Sequence, residues 1–83
     1  VANKQAVKMS EARILIYLSN VTSPNKYASP MGYKLQIEYG YLIRILKGMV
    51  TNGWLIPIRR ANKIFYEIST SAPLVIAKQL VQQ

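Results

Sequence analysis

A chain of 83 residues has room for one compact domain, and a domain of that size buries only about 60% of the surface its unfolded form exposes. Apolar residues make up 51%, enough for a packed core, while eleven Lys and Arg against three acids leave a net charge of +8. The sequence has neither cysteine nor histidine, so it offers no disulfide, thiolate metal site or imidazole base, and Glu11, Glu38 and Glu67 are too scattered for a paired-carboxylate site.

These exclusions read as a non-enzyme with no catalytic residue, no metal and no cofactor. The excess of cations favours a polyanionic partner. Apolar runs such as 14–18 and 73–77 fall far short of the roughly 20 residues a membrane span requires, and no secretory signal is visible. The expected location is therefore the cytoplasm.

Residues 1–9 carry Lys4 and Lys8 without periodicity and are expected to form a flexible basic segment, either solvated or resting on phosphates. Ser10 suits an N-cap, Glu11 the positive end of a helix dipole, and Met9 with Ile14 the spacing of a hydrophobic staple. A first helix follows, burying Ile14, Leu15, Leu18 and Val21 with Arg13 and Tyr17 nearer its edge. Turn formers over 19–25 end it. Lys26, Tyr27 and Ala28 then make a short extended piece. Ser29-Pro30 reads as an N-cap and first position of a brief second helix, with Met31, Leu35 and Ile37 as its apolar contacts and Gly32 small enough to admit a close neighbour.

A third helix is expected over 39–52, since Leu42, Ile45, Leu46 and Met49 fall on one stripe and Asn52-Gly53 supplies a stop. Beyond it, β-rich segments 54–58 and 64–68 frame a basic tip at 59–63, with a tight turn at Ala61-Asn62. Pro57 suits a sheet made mostly of edges. Ser69, Thr70 and Ser71 offer caps for a last helix over 72–81. Its Leu74, Ala77, Leu80 and Val81 share one side, as a packed face or, through Leu74, Leu80 and Val81, a dimer seam. The expected core is Leu15, Leu18, Leu42, Leu46, Met49, Leu55, Ile64, Tyr66 and Ile68, with Trp54 half-buried against the sheet.

The order of helix, short strand, short helix, longer helix, basic hairpin and helix resembles the winged helix-turn-helix domain of bacterial and archaeal transcription regulators of the MarR and PadR type, over about 10–71. Residues 37–55, Ile-Glu-Tyr-Gly-Tyr-Leu-Ile-Arg-Ile-Leu-Lys-Gly-Met-Val-Thr-Asn-Gly-Trp-Leu, look like the recognition helix of that family. Tyr66-Glu67-Ile68-Ser69 is similar to its exit from the wing. Gln36 departs from the pattern, standing where the family usually places a glycine between helices two and three.

This resemblance implies an α+β fold: a three-helix core, a β-hairpin wing and a C-terminal helix, with 72–83 as a possible dimerisation element. It implies double-stranded DNA as the partner. Gly40, Ile43, Arg44, Lys47, Gly48 and Thr51 would then face the major groove, Arg44 reading guanine O6 and N7 and Lys47 holding phosphate. Tyr39 and Tyr41 would donate hydroxyls to phosphates or touch thymine methyls, or else pack on helix two. Arg59, Arg60, Asn62 and Lys63 of the wing would reach the backbone or the minor groove. Glycines at 40 and 48 suit close approach to DNA or a plain surface; Glu38 suits the helix dipole or a cytosine N4, while Glu11 and Glu67 look structural. The implied function is a sequence-specific transcriptional regulator, acting as a homodimer. Two alternatives stand beside it: a nucleoid, plasmid-partition or viral protein that coats DNA with little sequence preference, and a winged-helix protein-interaction module, for which the apolar Ile43 speaks.

Overall fold

Helix α1 (Met9–Asn20) is the element on which the rest of the chain is assembled: Ala12, Ile14, Leu15, Tyr17 and Leu18 are all buried, more than one helix face can hold. The protein is described here from a computed structural model covering residues 7–21 and 25–81. Residues 1–6, with Lys4 of the basic segment, and 22–24 of the turn-rich stretch lie outside the described residues. After α1 come α2 (Ala28–Leu35), α3 (Tyr39–Thr51), the antiparallel strands β1 (Leu55–Arg60) and β2 (Lys63–Ile68), and α4 (Leu74–Val81). Among the described residues this is a small α+β arrangement of four helices and a two-stranded hairpin, in an order compatible with a winged-helix layout. No helix among the described residues is long and apolar enough to cross a membrane.

The start of α1 differs from expectation. Lys8, not Ser10, holds the cap position, and the Glu11 carboxylate accepts the Lys8 amide at 2.9 Å. Met9 is half-exposed and Ile14 fully buried, so the staple between them does not form. Tyr17 lies inside rather than at the edge. Its length carries the hydroxyl past the core to donate to the Asn25 carbonyl at 2.9 Å, and burial raises its pKa, keeping it a donor.

Helix α2 begins at Ala28, one residue before the expected cap. Tyr27 is extended there and bridges to Phe65, while the Tyr66 amide donates to the Lys26 carbonyl at 2.8 Å. Thus the short extended piece lies along β2, opposite β1. Pro30 falls in the first turn, where a missing N–H breaks no helical hydrogen bond. Gln36 ends the helix in the left-handed conformation (φ 58°, ψ 46°), and the Ile37 amide returns to the Gly32 carbonyl at 3.0 Å. The turn therefore has the backbone a glycine would adopt, made by glutamine at a cost of about 1–2 kcal/mol. A Cβ on Gly32 would sit 3.1 Å from the Ile37 oxygen and 3.3 Å from Leu42 Cδ2, so α3 crosses α2 at this residue. The Arg13 guanidinium donates to the Leu35 carbonyl at 2.7 Å, satisfying one of the last acceptors of α2.

Leu42, Leu46 and Met49 bury one face of α3. Its end is a Schellman motif: Gly53 (φ 80°) donates to Val50 and Trp54 to Met49, which draws Trp54 into the core. At 5% exposure Trp54 is buried, not half-buried as expected, because its backbone is fixed directly over Met49. Ile64 and Ile68 are only half-buried, since a two-stranded sheet covers its own inner face incompletely.

The hairpin closes on Ala61 (φ 47°) and Asn62 (φ 69°), both left-handed as a type I′ turn requires. Both strands reach the turn, so Arg59, Arg60 and Lys63 are strand residues and not a loop tip; Arg60 stands directly opposite Lys63. Pro57 pairs with Tyr66, whose amide is turned away to Lys26, so the absent proline donor leaves no ladder bond unmade.

The hydroxyls of Ser69 and Ser71 both donate to the Gly53 carbonyl instead of capping α4, which starts at Leu74, after Pro73. Ala77 is fully buried and α4 packs on α1, with Leu74 and Leu80 half-buried against the core. Val81 lies on the same side at the end of the helix but is 40% exposed, and Val75 is 70% exposed. Intramolecular packing thus occupies most of what a seam of Leu74, Leu80 and Val81 would use.

A candidate nucleic-acid interface

Opposite the buried stripe of α3, the 3.6-residue period brings Gly40, Arg44, Lys47 and Thr51 into one line, and all four are exposed. Tyr39 and Ile43 flank this line on one side; Tyr41, Ile45 and Gly48 flank it on the other. Tyr39 and Tyr41 are both more than half exposed, so neither is packed away under α2. Ile43 departs from expectation. It is half-buried and belongs to the flank, because a position next to Leu42 cannot also lie opposite it.

Glu38 fixes where α3 begins. One carboxylate oxygen accepts the Tyr41 amide at 2.8 Å and the other the Gly40 amide at 3.0 Å, and these two bonds hold its pKa below the ordinary glutamate range. Of the two readings open for this residue, the helix-dipole one matches the geometry, with both oxygens engaged on their own helix. A Cβ on Gly40 would approach the Glu38 carboxylate to 3.3 Å, so this glycine makes room for the cap. Gly48 is different: a Cβ there would meet nothing within 4 Å, leaving bare backbone at the surface. The Thr51 hydroxyl donates to the Lys47 carbonyl at 3.0 Å and retains its lone pairs.

On the Tyr39 side, α3 and the hairpin bound a cleft of about 320 Å³. Arg59, Asn62 and Lys63 line it from the hairpin, Tyr39 and Ile43 from α3, and Tyr27 and Ser29 from the start of α2. Tyr27 meets Phe65 edge-on with ring centroids 5.4 Å apart and carries the Lys63 ammonium 5.1 Å from its own centroid, which ties the hairpin to α2. Burial, and then the neighbouring Tyr39, raise the pKa of Tyr66 at the floor of the cleft. Arg60 is not among the lining residues, although Lys63, its partner across the hairpin, is.

The electrostatics follow from where the acids go. Glu11 is held by the Lys8 amide, Glu38 caps α3, and Glu67 pairs with Lys26 at 3.1 Å, the one ion pair among the described residues. Arg44, Lys47, Arg59, Arg60 and Lys63 form no ion pair among the described residues, although Arg44 lies near enough to Glu38 for its charge to help lower that carboxyl's pKa. Like charges at the paired positions 60 and 63 oppose hairpin closure, a feature without structural benefit to the isolated domain.

The expected residues therefore form two groups: Tyr39, Ile43, Arg59, Asn62 and Lys63 around the cleft, and Gly40, Arg44, Lys47 and Thr51 along the exposed line. Tyr41 and Arg44 meet a third surface at the start of α1, with Lys8 and Ser10. Tyr27 and Ser29 were not anticipated at the site. The extended segment around Tyr27 is legible in the sequence, but its pairing with Phe65, 38 positions later, has no local signal. Compared with protein-family models, with curated proteins and with solved structures, the chain finds no match in any of the three.

Proposed function

We propose that this chain is a winged helix-turn-helix domain that binds double-stranded DNA as a sequence-specific transcriptional regulator, without catalysing a reaction. The observation that carries it is the exposed line of Gly40, Arg44, Lys47 and Thr51 beside a hairpin bearing three cations, with each acid held by a donor of its own, Glu38 as the cap of α3. A helix is about 10–12 Å across and the major groove of B-DNA about 12 Å wide, so α3 fits with its exposed line toward the base edges. Arg44, at the middle of that line, is the residue suited to bidentate contact with guanine. Lys47 and the hairpin cations neutralise phosphates, and Tyr39 lines the cleft between α3 and the hairpin. Two copies related by a two-fold axis would read paired half-sites.

A coating role with little sequence preference is the second reading, favoured by how many of the exposed cations lie off the base-reading line. The protein-docking alternative loses its main support, since Ile43 is half-buried in the flank of the cleft. The test is a pair of variants on duplexes selected from genomic fragments and on random duplex. Arg44→Ala should cost about 1–3 kcal/mol of discrimination at the base it reads. Lys47→Ala should weaken both duplexes alike and reduce the salt slope by about 0.9. Unchanged binding by both variants contradicts the assignment of α3 to the groove.

A further inference from the structure

We infer that Lys8, with the Ser10 and Tyr41 hydroxyls, forms a second phosphate contact on the side of α3 away from the hairpin, so that α3 is gripped by basic groups on both flanks. The inference rests on α3 occupying the major groove. A helix about 10–12 Å across in a groove about 12 Å wide brings both of its flanks close to sugar-phosphate strands, one on each side. The hairpin cations serve the strand beside Tyr39 and Ile43. What meets the other strand must lie beside Tyr41, Ile45 and Gly48.

That surface is a depression of about 240 Å³ between the start of α1 and α3, lined by Lys8, Ser10, Tyr41, Arg44 and Gly48 among others. Lys8 is exposed, and its backbone is anchored: its amide donates to the Glu11 carboxylate at 2.9 Å and its carbonyl accepts the Ala12 amide at 2.9 Å. The point from which the side chain leaves the backbone is thereby fixed, and its ammonium forms no ion pair among the described residues. Tyr41 is 52% exposed, with no hydrogen bond recorded for its hydroxyl among the described residues. Gly48 presents backbone with nothing within 4 Å of where a Cβ would stand, so a strand can pass close to the helix there. Glu11 also lines the depression, and its charge opposes a phosphate; one of its oxygens is held by the Lys8 amide. Lys8 and Arg44 together outweigh it.

The test is binding of the full chain to a short random-sequence duplex across a salt series, which reads phosphate contacts without requiring a known target. Lys8→Gln should lower the magnitude of the log–log salt slope by about 0.9 and weaken binding roughly fivefold to tenfold near 0.1 M salt. Tyr41→Phe should weaken binding and leave the slope as it is, since no charge is lost. Lys78→Gln, on α4, should match the parent in both quantities. Circular dichroism checks that each variant is folded. A Lys8→Gln slope equal to the parent's, with the parent binding and Arg59→Gln lowering the slope, overturns the second contact and leaves the DNA function standing. A parent that fails to bind duplex at low salt overturns both.

Discussion

Gln36 and Ala61 are the two residues outside Gly and Asn that adopt left-handed backbone among the described residues, and each sits at a turn that orients a proposed DNA-contacting element. At Gln36 the strain is held in place by the Gly32–Leu42 crossing on one side and the Glu38 cap on the other. Gln36→Gly should stabilise the fold by about 0.5–1 kcal/mol, read as a higher urea midpoint at unchanged slope, because relief of left-handed strain exceeds the added freedom of the unfolded chain. Gln36→Val should lower it, β-branching being poorly tolerated at positive φ. The sequence marks this position as unusual, yet the side chain alone does not reveal that the backbone conformation is retained; that is fixed by α3 packing on Gly32, a tertiary constraint. Glu38 is the other informative residue. Its folded pKa lies below the unfolded value, so in the window between them the unfolded chain binds more protons and stability rises with pH. The contribution is fully present above the ordinary glutamate range and is lost as pH falls through the folded pKa. Glu38→Gln should therefore melt below the parent at neutral pH, and the two melting curves should converge on acidification. A gap that stays constant with pH would mean the carboxylate charge does not matter to the cap.

Among the elements, α3 is the most legible in the sequence, because it buries a single face through Leu42, Leu46 and Met49 and shows the helical period; the hairpin is legible from its β-rich composition, since its strands do not bury alternate residues. Helix α1 is less so. Packing on α4 as well as on α2 and β2 buries Tyr17 on what a one-faced reading assigns to the edge. Strand boundaries shift for another reason: Arg59, Arg60 and Lys63 read as loop by composition, while the left-handed Ala61-Asn62 pair confines the turn to two residues and carries pairing up to Arg60 and Lys63. The angle between α2 and α3 depends on Gly32. Gly32→Ala places a methyl 3.1 Å from a carbonyl oxygen and should destabilise by about 1–3 kcal/mol in chemical denaturation, despite the better helix propensity of alanine. Stability equal to the parent's would show that the two helices can slide apart freely. On the proposed DNA function, a folded Gly32→Ala chain should also bind duplex more weakly, since α3 and the hairpin would no longer share one surface.

Over the whole molecule, the decisive property is the separation of charge. A net charge of +8 by itself fits mere solvation, and the sequence gives no means of choosing between that and a polyanion partner. The arrangement adds what composition lacks: Glu11, Glu38 and Glu67 are each tied to a donor, and the cations of α3 and the hairpin form no ion pair among the described residues. Such a surface should bind duplex DNA with strong salt dependence, and Arg44 should add selectivity to it. The most direct test of that claim is to measure affinity for a random-sequence duplex and for a pool of genomic fragments across a salt series, sequencing the fragments retained. The expected result is a shared motif bound at least about 10³-fold more tightly than random duplex, on a background whose affinity falls steeply with salt. Equal affinity for every fragment would contradict sequence-specific regulation and leave a coating role. No binding to any duplex at low salt would contradict the DNA function altogether.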